Sequence, residues 1–472
     1  MIPRTLAEAA EAVAGSVRPP GTGGTVSGAT VDSRLAGPGD LFFALRGERI
    51  DGHRFVGEAL RRGATGAVVR RGWANGKGEE PPGPWIEVDD PAAALLRLAR
   101  DARSRLDATV VGITGSTGKT LTKDFTAAVL SRTLDVVSSQ ASFNNEVGLP
   151  LTIVRATDRT EAVVCEMGSR GPGHIRLLCD VARPHIGVVT NVGVAHMELF
   201  GSLEVLRDAK AELPEALPPG GTAVLNADDP VVRGYAGRTP ATVVLYGSVD
   251  EAAVRAHAIT VGPDGVAEFD LITPNGSAHV RLPAPGEHLV PDALAAAATG
   301  SVMGVPPSEI GRGLATATLS RGRMEVFETA EGIRIVNDAY NANPTSMAAA
   351  LKALRSMAVG RRSVAVLGHM AELGAIADTE HERIGELVAR LGIEALVVVG
   401  KGAELIAAGA EREGVEPERI VRCDDPEDAA RAVRRLAGAG DVVLVKASRV
   451  ERLERVADAL RGPAEVSRSV GA

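Results

Sequence analysis

The segment VVGITGSTGKTLTKDF, residues 110–125, constrains the fold more than any other stretch of the chain. An apolar run suited to a buried strand passes into Gly115-Ser116-Thr117-Gly118-Lys119-Thr120, and a helical pattern follows at once. Backbone N–H groups in such a turn converge on an anion, and the positive end of the following helix dipole adds to the attraction. Lys119 is then expected on the β- and γ-phosphates of a nucleotide and the Thr120 hydroxyl on Mg²⁺. The full P-loop spacing has Gly at position 113, where this chain has Ile113, so the match is to the shorter GxxGKT form. An ATP site in an α/β domain is predicted.

The flanking segments fit that prediction. Residues 109–114, 161–167 and 185–192 are continuous apolar runs of the length expected for strands buried on both faces of a parallel sheet. The more polar, β-rich segment 241–283 reads as an antiparallel edge, and 292–304 as an Ala-rich helix. From about residue 319 strands and helices alternate again. Strands are expected at 362–368, 394–400, 418–423 and 441–447, with helices near 379–391, 402–413, 426–438 and 449–461, giving a doubly wound α/β unit. The first 88 residues alternate short strands with helices, including a helix at 53–64 and a strand at 85–88. A Gly- and Pro-rich loop lies at 71–84, and a helix starts at Pro91. At 472 residues the chain is too long for one core, and the pattern divides it into 1–88, 89–318 and 319–472.

Fifty-two Lys and Arg against 60 Asp and Glu leave a net charge of −8, which excludes a general affinity for nucleic acid. Eight Phe, three Tyr and two Trp are too few for base-stacking platforms. Cys165, Cys179 and Cys423 are widely spaced with no CxxC pair, as suits a reducing compartment, and supply neither a zinc site nor a disulfide framework. The N-terminus reads as a short amphipathic helix rather than a signal peptide, and no apolar run approaches the ~18 residues of a membrane helix. A cytoplasmic protein is expected.

Three further residues carry chemical potential with unequal force. Glu166 ends an apolar strand, where a carboxylate is costly to bury unless it binds metal or pairs with a neighbouring Arg. His196, alone in TNVGVAHMELFG, reads more readily as structural than as a ligand. Lys210, in LRDAKAEL, reads by itself as a solvated helix lysine. The Gly400-Lys401-Gly402 stretch follows a strand but reads as a simple turn.

GITGSTGKT, FNNEVGLP, CEMGSRGPGHI, TNVGVAHMELFGSLEVLRDAKAEL and LNADDP, in this order, resemble the Mur ligases of peptidoglycan synthesis. DSRLAGPGDLFFALRGERIDGHRF is similar to the UDP-binding domain of two of the family's branches. NDAYNANPTSM, VLGHMAELG and LVKASR resemble the branch that adds the terminal dipeptide, and the DNPR-like motif of the diaminopimelate- or lysine-adding branch is absent from the sequence. The resemblance covers nearly the whole chain.

It implies a three-domain fold with a central P-loop domain, and an ATP-dependent ligase that joins D-alanyl-D-alanine to UDP-N-acetylmuramoyl-tripeptide through an acyl phosphate. It implies Mg²⁺ at two sites, one held by Thr120 and Glu166, the other by His196 and a CO₂-carbamylated Lys210. Asn144, Asn145 and Glu146 would line the substrate channel, and Ser33, Arg34 and Phe43 would lie near the UDP. Arg323 and Asp338 would reach the nucleotide from the C-terminal domain, and Tyr340, Asn341 and Asn343 would lie near the reacting ends. Partners are then small molecules, with neither nucleic acid nor membrane, and a monomer is expected. The chain departs from the family pattern at Leu289 and Asp292, where asparagines usually contact adenine. It departs again at Ala141-Ser142, Ala211, Ala447 and Val450. A related ligase for another acid and amine and an ATP-binding regulatory module remain alternatives, although a folate-type enzyme would carry GKG where this chain has Gly118-Lys119-Thr120.

Overall fold

The computed structural model describes residues 1–47, 50–74, 81–140, 143–193 and 197–462. Its largest sheet has nine strands, and the P-loop strand Thr109–Thr114 lies inside it, between Ile186–Val189 and Ala162–Glu166. All pairings from Val136–Ser138 across to Thr242–Gly247 are parallel. The segment expected as an antiparallel edge divides in two. Thr242–Gly247 extends the parallel sheet, because the short helical crossover at residues 230–237 returns the chain in the same direction. Only Val254–Val261, Val266–Thr273 and Gly276–Pro285 form the antiparallel edge.

Register places the chemistry. Glu166 pairs with Ile113, and Val189 with Thr114. The P-loop, Glu166 and residues 190–193 therefore leave the same carboxyl edge of the sheet, where ligands of open α/β sheets bind. The glycines of the loop are required by conformation and space. Gly118 has φ of 79°, and a Cβ there would collide with the Asp292 carboxylate. Gly115 lies against the Thr190 hydroxyl, which leaves no room for a side chain.

A five-stranded sheet lies between residues 16 and 88, and a six-stranded sheet between 325 and 446. The helix Pro91–Ser104 connects the first sheet to the second and buries Ala94, Leu95, Leu98, Ala99 and Ala102. One apolar core runs through it, from Leu6 and Phe43 to Val163, Cys179 and Leu213. Buried Arg103 ties the end of this helix to the carbonyls of Ala182, Arg183 and Leu106. In the six-stranded sheet all pairings are parallel except Glu325–Glu328 with Arg334–Asn337. The predicted N-terminal helix is Leu6–Ala12, opened by a Thr5 and Glu8 capping box. The helix expected at 53–64 is shorter, a 3₁₀ turn Gly52–Phe55 followed by Val56–Arg61. Among the described residues no helix is long and apolar enough to cross a membrane.

Candidate active site

A cavity of about 560 Å³ opens where the P-loop faces the loops of the C-terminal sheet. Lys119, Thr120, Glu166, Lys210, Arg323 and Asp338 all line it, and so do Asn144, Asn145, Tyr340, Asn341 and Asn343. Ser116, Thr117 and Gly118 form one wall, while Gly115 sits behind them against Thr190. Glu146 lies at the margin, its carboxylate 3.0 Å from Nε2 of His174, a cavity residue. Ser33, Arg34 and Phe43 are away from this cavity, in the first sheet and its loops. Ser33 is buried and donates to Glu58, Arg34 pairs with Asp32, and Phe43 is fully buried in the core. His196 and the departures at Ala141 and Ser142 lie outside the described residues.

The loop itself is held from the neighbouring strand. Ser116 N–H donates to the Asn191 carbonyl at 2.9 Å, Thr117 N–H to Asn191 Oδ1 at 3.0 Å, and the Thr190 hydroxyl to the Thr117 carbonyl at 2.6 Å. These two amides are thus spent on the scaffold. The N–H groups of Gly118, Lys119, Thr120 and Leu121 find no acceptor among the described residues, and they form the open N-terminus of the helix Lys119–Leu130. Lys119 Nζ folds back to the carbonyls of Gly115 (2.7 Å) and Ser116 (3.1 Å). Burial pulls its ammonium below the ordinary lysine value, against the opposing charge of Glu166.

Thr120 Oγ1 donates to Glu166 Oε2 at 2.9 Å, and Asn144 Nδ2 donates to Glu166 Oε1 at 2.8 Å. Arg323 reaches across from the C-terminal unit, with Nη2 3.2 Å from Thr120 Oγ1, while its buried Nε has no hydrogen-bond partner among the described residues. A hydroxyl and one carboxylate suit Mg²⁺, which takes few protein ligands and completes its shell with water and phosphate, and the unpaired guanidinium N–H suits the phosphate. Among the described residues no group of three or more His, Cys, Asp or Glu could hold a metal without such help.

Lys210 projects from the helix Leu203–Glu215 and is 1% exposed. Among the described residues its Nζ makes no hydrogen bond or ion pair. Burial, reinforced by the Lys119 charge, pushes it well below the usual lysine range, towards a neutral amine.

Several residues of the site were not singled out for these positions by sequence reasoning. Asp292, a departure in the adenine motif, lies buried against Gly118 and accepts from Thr122 Oγ1 at 3.1 Å. Burial raises its carboxyl to about 7. His288 lines the cavity, and burial lowers its imidazole to about 4. Lys446 is fully buried, with Nζ 2.5 Å from Asp338 Oδ2 and 3.0 Å from the Asn341 carbonyl. It ends an apolar strand, the same signal that drew attention to Glu166. Asn145 and Asn343 serve as caps: Asn145 Oδ1 accepts from Val147 and Gly148 N–H, and Asn343 Oδ1 from Ser346 N–H.

Comparison with known proteins gives the same outline. The Mur ligase family catalytic domain matches residues 25–103, the Mur ligase middle domain 113–300, and the Mur ligase glutamate ligase domain 322–449. The UDP-N-acetylmuramoyl-tripeptide–D-alanyl-D-alanine ligase of Mycobacterium tuberculosis is 41% identical over 98% of this chain and 98% of its own. A MurF crystal structure from Acinetobacter baumannii superposes with a TM-score of 0.83 at 29% identity, covering 98% of this chain and 99% of that one. MurF ligase from Thermotoga maritima in complex with ADP superposes at 0.77 and 29% identity, over 94% of this chain and 98% of that one. With family models matched in all three parts and relatives aligned end to end, the chain belongs to the Mur ligase family.

Proposed function

We propose that this chain is an ATP-dependent ligase that joins D-alanyl-D-alanine to the terminal carboxylate of UDP-N-acetylmuramoyl-tripeptide in peptidoglycan precursor synthesis. The end-to-end similarity to ligases of that name supports the substrates, and the ADP complex of the Thermotoga relative supports the nucleotide. The observation that carries the chemistry is the convergence of Lys119, the Thr120–Glu166 contact and Arg323 at the P-loop.

A tripeptide carboxylate oxygen attacks the γ-phosphorus of ATP, ADP leaves, and an acyl phosphate forms. The dipeptide amine then attacks the acyl carbon, loses a proton, and expels phosphate that keeps the attacking oxygen. The barrier is electrostatic, because an anion must approach an anion. The open amides of residues 118–121, Lys119 and Arg323 offset that repulsion with donors already in place. Mg²⁺ held by Thr120 and Glu166, and a second ion held by His196 and carbamylated Lys210, would neutralise the remaining charge on the phosphate and the carboxylate. Burial favours the uncharged amine at Lys210, and the uncharged amine is the form of lysine that reacts with CO₂.

Residues 1–88 carry the UDP-sugar end, with Ser33 and Arg34 near it, while Phe43, fully buried, packs the core of that unit and offers the ligand no surface. Residues 89–318 bind ATP and, through Asn144, Asn145 and Glu146, the peptide stem. Residues 319–472 bring Arg323 and Asp338 to the nucleotide and Tyr340, Asn341 and Asn343 to the reacting ends of the substrates, and close the site against water, which would hydrolyse the acyl phosphate. Tripeptide labelled with ¹⁸O in its terminal carboxylate tests the route: one label transfers to released phosphate per turnover. Phosphate without label would reject the acyl phosphate.

A further inference from the structure

Arg449 lies in the cavity wall directly after the buried strand Val442–Lys446. Its backbone is fixed from several sides. Lys446 is bound to Asp338 and the Asn341 carbonyl, and buried Ser448 donates to the Ala342 carbonyl at 3.2 Å. Ser448 Oγ also accepts from Ala371 N–H at 2.8 Å, and Ser448 N–H donates to the His369 carbonyl at 3.0 Å. The Arg449 side chain is nevertheless exposed. Among the described residues its guanidinium makes no ion pair or hydrogen bond. Its contact is the Tyr340 ring, 4.8 Å from Cζ to the centroid.

The same ring carries a second guanidinium, that of Arg323, at 4.3 Å. Arg323 reaches Thr120 at the P-loop, so its charge is directed to the nucleotide. Arg449 is rooted in the C-terminal loops. Two cations on one aromatic ring line the same cavity, and the ring quadrupole offsets only part of their repulsion. A preformed, unpaired fork of this kind fits a planar carboxylate with two parallel N–H···O bonds. Val450, also exposed and lining the cavity, places a small apolar surface beside the fork.

On the proposed reaction, three anionic groups meet at the reacting ends. The nucleotide phosphates have Lys119, the open amides and Arg323. The tripeptide carboxylate loses its charge on activation. The C-terminal carboxylate of the incoming dipeptide, with a methyl beside it, is the remaining anion. We propose that Arg449 binds this carboxylate, with Tyr340 holding the guanidinium in place and Val450 against the terminal methyl. This inference rests on the ligase reading and assigns the residue that makes a free C-terminus a requirement of the amine substrate.

The test compares D-alanyl-D-alanine with D-alanyl-D-alaninamide in the wild type, Arg449→Lys and Arg449→Met. The wild type should show a KM about 10- to 100-fold higher for the amide, the scale of a lost charge-assisted hydrogen-bond pair. Arg449→Met should raise KM for the acid by a similar factor, leave that for the amide unchanged, and leave KM for ATP and UDP-N-acetylmuramoyl-tripeptide as in the wild type. Arg449→Lys should fall between. Equal use of acid and amide by the wild type overturns the assignment without any variant, and so does a KM change for ATP in place of the dipeptide. Absence of dipeptide turnover in the wild type overturns the ligase reading and this inference together.

Discussion

The Thr120 hydroxyl and the Glu166 carboxylate touch at 2.9 Å although they lie 46 positions apart, because the strand before the P-loop and the strand that ends at Glu166 are parallel neighbours in register. One leads into the P-loop and the other ends beside it. If the pair is the Mg²⁺ seat, Glu166→Gln keeps the shape and the bond to Thr120 but removes the charge. Turnover should fall by about 10²-fold or more, the usual scale for an electrostatic group at the transferring phosphate. The Mg²⁺ concentration giving half-maximal rate should rise. Both are read by phosphate release across a magnesium titration, and an unchanged titration would remove Glu166 from the metal site.

Lys210 should carry CO₂. Protein equilibrated with ¹³C-bicarbonate at pH 8 should show a carbamate carbon resonance that Lys210→Ala lacks. The variant should lose most of its activity, and bicarbonate should not restore it. Full activity in Lys210→Ala would refute the role.

Asp292 makes apo-protein stability depend on pH in a definite direction. Its carboxyl sits at about 7 against an ordinary 3.8, because burial opposes ionisation more than Thr122, Arg323 and Lys119 favour it. The folded state therefore holds this proton more tightly than the unfolded chain, so the site's contribution to stability is greatest below the unfolded value and is lost as pH rises through about 7. Asp292→Asn removes the charge and keeps an acceptor for Thr122. Urea denaturation should show the variant gaining on the wild type by about 3 kcal/mol between pH 4 and pH 8. A gap that is constant with pH would contradict the assignment.

Lys446 and Asp338 form a buried pair on neighbouring parallel strands, next to Tyr340 and Asn341. Lys446→Met leaves Asp338 with the Met324 N–H but without its counter-charge. A loss of about 3–5 kcal/mol is expected from one broken buried pair, measured by urea denaturation of the full chain. A loss below about 1 kcal/mol, the range of exposed pairs, would contradict the burial argument.

What the sequence reveals follows how local each signal is. The P-loop is legible because strand, glycines, Lys119 and helix are contiguous, and Glu166 because a charge at the end of an apolar strand is itself a local anomaly. Lys210 is illegible from the residues alone. In its helix six consecutive positions, Ala209 to Pro214, are buried, so packing surrounds that turn and no amphipathic stripe marks an inner face. Only the family resemblance pointed to it. The sequence pattern starts the antiparallel edge one strand too early, since the short crossover before Thr242–Gly247 gives no strong helical pattern.

Asn145 and Asn343 show the opposite limit. The family pattern draws them towards substrate, while their side chains cap the starts of the helices Gly148–Arg155 and Pro344–Met357. The Asn-Pro-Thr-Ser run carried that second signal, an N-cap followed by Pro at the first helical position. Arg449 is visible in the sequence only as the end of LVKASR, with no role attached, because an arginine becomes notable only when the structure leaves it without a counter-charge.

The most direct test of the ligase reading is phosphate release from ATP and Mg²⁺, with UDP-N-acetylmuramoyl-tripeptide and D-alanyl-D-alanine supplied singly and together, and the product weighed by mass spectrometry. The account predicts release at full rate only with both, and a product heavier than the tripeptide precursor by one dipeptide less water. Rapid release with neither or only one present, or release with both but no such product, would contradict it.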